Sequence, residues 1–101
     1  ADALNAEHGG DAAFAYELDV TDEMQWVATL EASDAALGGL SGLVNNAGIA
    51  GGKDAIEEMS LADFRRVMSV NVDSVFLGAK HALKYLSRNA IYFPKIPRLL
   101  L

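Results

Sequence analysis

Three places in the chain combine residue type and spacing in a way that suits chemistry. Asn45-Asn46-Ala47-Gly48 follows the apolar pair Leu43-Val44, where a buried strand would stop and a loop begin. In open α/β sheets, ligands bind beyond the carboxyl ends of the strands. Small residues there let backbone approach a flat nucleotide, and Gly48 permits conformations closed to other residues. The amides of Asn45 and Asn46 can bond neighbouring backbone and lock the strand ends. The same four residues also suit an ordinary polar turn, so alone they leave the two readings balanced. Asp19-Val20 closes an earlier run; its carboxylate can accept from an adenine amino group while Val20 offers backbone and an apolar contact. Alone, Asp19 reads first as the residue before a helix cap. Asn71 falls on an apolar stripe between Met68 and Val75. A buried amide left unsatisfied costs roughly 1–3 kcal/mol. Bonding to backbone is its commoner role; holding a water or a catalytic side chain is the functional one.

The remaining candidates are weaker. His8 and His81 have no second His or carboxylate at ligand spacing, so both read as surface residues and no metal site is expected. Trp26 reads as packing. Lys80, His81, Lys84 and Arg88 read as the solvated side of a helix, where cations also suit the C-terminal dipole.

The elements that must position these residues follow from pattern. Ala1 to His8 reads as the end of a helix without a cap before it, so the chain is read as beginning mid-element; Gly9-Gly10 stops it. Residues 12–18, with Phe14 and Tyr16, read as a strand. Thr21 is the expected cap of a helix whose first turn carries Asp22 and Glu23 and whose apolar stripe is Met24, Val27, Leu30 and Ala35. Gly38-Gly39 closes it. Leu40 to Asn46 reads as a second strand, apolar on both faces as buried parallel strands are. Ser60-Leu61-Ala62-Asp63 is a variant capping box. It opens one long helix to about Asn89, with Phe64, Met68, Val75, Ala79, Ala82 and Leu86 on one face. Strand, helix, strand, helix in alternation predicts parallel α/β architecture. After Asn89, Pro94 and Pro97 argue against a central strand, since proline cannot donate to a ladder; residues 1–89 are therefore read as one partial domain and 90–101 as a divergent tail.

Bulk properties narrow the function classes. Of the 101 residues 51% are hydrophobic and 22% charged, a globular composition near the low end for a self-sufficient core. A net charge of -6 argues against a nucleic-acid partner, which needs a basic face. Cysteine is absent, which excludes disulfides and thiolate metal sites. No apolar run approaches a membrane span and no signal peptide is visible, so a cytoplasmic location is the default expectation.

Taken together, Asp19-Val20-Thr21, then Leu43-Val44-Asn45-Asn46-Ala47-Gly48, then Val70-Asn71-Val72 on a helix resemble the short-chain dehydrogenase/reductase family across roughly residues 1–89. The resemblance implies a Rossmann-type doubly wound parallel sheet. It also implies hydride transfer between NAD or NADP and a small alcohol or carbonyl substrate, in an enzyme that is a homo-oligomer. Asp19 and Val20 would hold the adenine. Asn45, Ala47 and Gly48 would line the adenine ribose and stabilise the sheet. Asn71 would be the asparagine of the catalytic tetrad, positioning a helix carbonyl and a water.

The family's T-G-x-x-x-G-x-G turn and its Y-x-x-x-K pair do not occur in these 101 residues. Tyr92 and Lys95 are three apart rather than four, beside Pro94, and are rejected as that pair. In a sheet ordered 3-2-1-4-5-6, the two strands here would be the third and fourth, which are not neighbours. The chain is thus expected to be an internal fragment with an incomplete sheet, lacking the first two strands and the C-terminal half. On its own it should bind dinucleotide poorly and be inactive. The competing expectation is a non-catalytic module that docks on an intact relative through the 61–89 helix.

Overall fold

In the computed structural model, residues 1–52 and 54–88 are described. They form helices α1 (Asp2–His8), α2 (Glu23–Leu37), α3 (Leu61–Met68) and α4 (Ser74–Arg88), with a π-helical turn (Ser69–Asp73) joining the last two. The glycine stops act as the sequence predicts. Gly9 and Gly38 end α1 and α2 in the left-handed conformation, with φ of 75° and 72°, which only glycine adopts without penalty. Ser60 caps α3, its Oγ accepting from Asp63 N–H at 3.1 Å. The cap of α2 is Asp22 rather than Thr21: Asp22 Oδ1 accepts from Gln25 N–H at 3.1 Å, because the Thr21 hydroxyl is already turned to Asp19 Oδ1.

Neither segment predicted as a strand, 12–18 or 40–46, forms an extended strand among the described residues, and no ladder joins the two, although Val44 in the second makes an isolated β-bridge. Strand formation needs a partner edge, and apolar content in one segment cannot supply it. Asn5 does hold the first segment locally. Its Nδ2 donates to the Ala13 carbonyl at 2.9 Å and its Oδ1 accepts from Ala13 N–H at 2.6 Å.

The core lies between α2 and α4. Trp26 and Leu30 pack with Ala82, Tyr85 and Leu86, and Leu18, Val20, Leu40, Leu43 and Leu77 close over them. Trp26 is packing, as expected, whereas Met24 of the predicted α2 stripe is exposed. On the long helix the inward face runs through Asn71, Ser74, Gly78 and Ala82, while Phe64 and Met68 are exposed. Ala82 and Leu86 are buried as predicted. The difference upstream comes from two sources: the π-turn shifts the helical register, and small residues at 74, 78 and 82 let α2 approach.

Lys80, Lys84 and Arg88 on the cationic side of α4 are exposed, as expected, but this side is also paired with α2. Lys80 Nζ and His81 Nε2 both lie 2.8 Å from Glu23 Oε2, and Arg88 Nη2 lies 2.6 Å from Asp34 Oδ1. These pairs staple α4 to α2. Lys80, then His81, hold the Glu23 carboxyl below its ordinary value of 4.5. A depressed carboxylate pKa contributes stability that is present above the unfolded value and is lost as pH falls through the folded one. Stability followed by circular dichroism should therefore decline slightly as pH drops below about 4.5, and Glu23→Gln should remove that decline while losing the same small amount of stability at neutral pH, as for other exposed pairs.

Candidate dinucleotide site

Asp19-Val20 leads into α2, and the first turn of that helix occupies most of the pair's polar atoms. Asp19 N–H donates to Gln25 Oε1 at 2.7 Å, and the Asp19 carbonyl accepts from Asp22 N–H at 3.0 Å. Asp19 Oδ1 accepts twice, from Thr21 N–H at 2.9 Å and Thr21 Oγ1 at 2.7 Å. The Val20 carbonyl accepts from Trp26 Nε1 at 2.9 Å. Two groups stay uncommitted among the described residues: the acceptor Asp19 Oδ2 and the donor Val20 N–H. The Thr21 hydroxyl first, and its amide second, hold the exposed Asp19 carboxyl below the usual carboxylate range, so at neutral pH it only accepts.

Asn71 sits in the middle of the π-turn, partly buried. Its Oδ1 accepts from Ile49 N–H at 2.7 Å and its Nδ2 donates to the Ile49 carbonyl at 2.8 Å. Both faces of the amide are thus spent on one residue of the loop that follows Gly48. Gly48 comes close as well: a Cβ there would lie 3.5 Å from Asn71 Oδ1. Ser74 Oγ closes the wide turn by donating to the Val70 carbonyl. π-turns inside helices recur at functional sites, because the widened turn frees backbone and re-aims side chains.

Val20, Asn45, Asn46 and Ala47 line one cavity of about 390 Å³, floored by Trp26 and Ala82. Asn45 Nδ2 is buried there without a hydrogen-bond partner, and Asn46 makes no side-chain hydrogen bond among the described residues. The expected locking of strand ends by these two amides is therefore not seen among the described residues. The predicted residues fall into two groups, one around this cavity and the other, Gly48 with Asn71, meeting through Ile49. Asp19 stands exposed beside the first.

Sequence reasoning missed four participants. Ile49 acts through backbone alone and carries no signal in its side chain. Thr21 and Gln25 act on Asp19 across a few residues, which pattern reading assigns to capping. Gly78 was readable, since a glycine inside a helix often marks a close approach. A Cβ at Gly78 would lie 2.6 Å from Asn45 Oδ1 and 3.0 Å from the Trp26 ring. Among the described residues, no three His, Asp or Glu side chains gather as a metal-ligand set, and no helix is long and apolar enough to cross a membrane.

A family profile described as Enoyl-(Acyl carrier protein) reductase matches residues 1–92. The chain belongs to the short-chain dehydrogenase/reductase family. Among its dehydrogenase/reductase relatives is the 3-alpha-(or 20-beta)-hydroxysteroid dehydrogenase of Mycobacterium bovis, 43% identical over 74 residues, which are 73% of this chain and 28% of that protein. Glucose 1-dehydrogenase 2 of Bacillus subtilis is 40% identical over 85 residues, 84% of this chain and 33% of the relative. Solved structures agree. A 7 alpha-hydroxysteroid dehydrogenase complexed with NADH and 7-oxo glycochenodeoxycholic acid matches with a TM-score of 0.74 at 34% identity, over 87% of this chain and 33% of that one. The 3-ketoacyl-(acyl-carrier-protein) reductase of Brucella melitensis, complexed with NADH, matches with a TM-score of 0.76 at 32% identity, over 87% and 36% of the two chains. These structural neighbours are Rossmann-fold members of the short-chain dehydrogenase/reductase family. The chain spans about a third of the length of the relatives it matches.

Proposed function

We propose that this chain provides the adenine-binding part of an NAD(P)-dependent oxidoreductase that interconverts a small alcohol and a carbonyl compound by hydride transfer. The observation that carries this reading is the uncommitted pair on Asp19-Val20, one acceptor and one donor. They match the edge of adenine, which offers an amino donor beside the N1 acceptor. Asp19 Oδ2 and Val20 N–H would hold that edge, and Asn45, Ala47 and Gly48 would line the ribose. The small side chains of Ala47 and Gly48 favour the close approach of a sugar. When bound, the nicotinamide cofactor supplies the hydride acceptor or donor. Asn71 orients a helix carbonyl and a water for the proton relay; its amide, held at both ends by Ile49, fixes helix to loop. Segments 12–18 and 40–46 contribute strands to a doubly wound parallel sheet, with 90–101 a separate tail, in a cytoplasmic enzyme whose whole form is a homo-oligomer.

The general acid/base and pyrophosphate-binding motifs do not occur in these residues, so the 101-residue chain alone does not turn over. Titration of the labelled chain with NAD should shift the Val20, Ala47 and Gly48 amide resonances and leave those of α1 in place, while no alcohol-dependent NADH forms. Shifts spread evenly over the chain would sink the site; NADH production would sink the claim that the chain alone is inactive.

A second reading has its own observation. Leu61, Phe64, Met68, Val72 and Phe76 are all exposed on one side of α3, the π-turn and α4. An apolar stripe of this kind fits docking on an intact relative, without catalysis by this chain. Co-migration with a full-length homologue separates this reading from the first.

A further inference from the structure

We propose that Gly78, inside α4, is a positioning residue for nucleotide binding that acts through Asn45. The inference rests on the dinucleotide reading above and adds a residue of α4 that this reading does not contain. Gly78 is buried, and Asn45 comes down onto it: a Cβ there would lie 2.6 Å from Asn45 Oδ1. The Trp26 ring crowds the same point at 3.0 Å, and it is itself buried against Ala82. Asn45 is therefore the part that would have to move. Among the described residues its side chain makes no hydrogen bond, and its Nδ2 is buried without a partner. What fixes this amide is the close fit to the bare backbone of α4.

The other end of the same turn is fixed to the same helical segment. Asn71 holds Ile49 by its N–H at 2.7 Å and by its carbonyl at 2.8 Å. Asn71 and Gly78 are seven positions apart, about two turns along one helix face. Asn46, Ala47 and Gly48 are thus strung between two anchors, a seat for Asn45 and a clamp on Ile49. Ala47 and Gly48 have no long side chain with which to fix themselves, so the anchors set where their backbone stands. Relieving the 2.6 Å contact to an ordinary 3.4 Å or more would shift Asn45 by more than the roughly 0.5 Å that a preorganised site tolerates.

The test is a double-mutant cycle on the labelled chain, with the affinity for NAD read at the Ala47 and Gly48 amide resonances of the folded form. Gly78→Ala should weaken NAD about fivefold or more, the scale of coupling between residues in contact. In an Asn45→Ala background, where the crowded oxygen is gone, the same change should cost nothing further. Crowding against Trp26 is common to both backgrounds, so a loss that came only from packing would appear equally in both. That equal loss overturns the proposal, and so does a Gly78→Ala chain that binds NAD as the parent does. If Gly78→Ala does not fold, both comparisons are made with Trp26→Phe, whose smaller ring leaves room for the methyl. A parent chain that shows no binding of NAD overturns the dinucleotide reading itself, which separates the two failures.

Discussion

Replacing Gly78 with alanine is expected to lower the free energy of unfolding by about 1–3 kcal/mol, as overpacking does in a filled core. Helix propensity alone predicts the opposite sign, since alanine is preferred to glycine by about 1 kcal/mol in a helix interior. Space decides between them. The new methyl would lie 2.6 Å from Asn45 Oδ1 and 3.0 Å and 3.3 Å from two carbons of the Trp26 ring. The ring has nowhere to go, because Trp26 is 6% exposed and Ala82, across the same interface, is 1% exposed. Asn45 could turn only within the buried pocket where its Nδ2 already lacks a partner. Urea denaturation followed by the fluorescence of Trp26, the one tryptophan in the chain, reads the effect directly. A variant as stable as the parent would mean that α2 and α4 are not packed through Gly78.

Asn71 gives the second large effect. Asn71→Leu removes both hydrogen bonds to Ile49, leaving a part-buried N–H and carbonyl without partners. The expected cost is roughly 1–3 kcal/mol, and exchange of the Ile49 amide should quicken by about ten- to a hundredfold. Asn71→Asp separates the two bonds. Its carboxylate still accepts from Ile49 N–H but faces the Ile49 carbonyl with like charge. The amide should then stay protected while global stability falls as in the leucine variant. If both variants left Ile49 exchange at the parent rate, the clamp between loop and helix would be refuted.

What was legible in the sequence was local chemistry. Gly9 and Gly38 end helices because their backbone freedom needs no tertiary partner, and Ser60 caps α3 for the same reason. Asn71 stood out because an amide on an apolar stripe demands partners, although nothing in its own vicinity named Ile49. Thr21 and Asp22 are both good caps, and the choice between them was settled by a contact to Asp19 that composition does not record. The predicted strands depended on pairing, which is a property of two segments and of their edges. Helical periodicity selected Phe64 and Met68 as inward positions because it assumes an unbroken turn of constant width. The structure breaks that assumption at Ser69–Asp73. Likewise the pairing of His81 was not legible, because its partner Glu23 lies 58 positions away.

The widened turn at Ser69–Asp73 also constrains how this stretch can change by insertion or deletion. A π-turn accommodates one more residue than an α-turn does, so removing any one of those five would let the helix close up as a regular α-helix. The closure would rotate everything upstream by about 100° relative to α4. Asn71, or whatever then occupied its place, would point away from Ile49, and the Leu61-to-Phe76 stripe would be cut into two patches on different sides. The clamp between loop and helix therefore depends on the number of residues in this turn as well as on Asn71 itself.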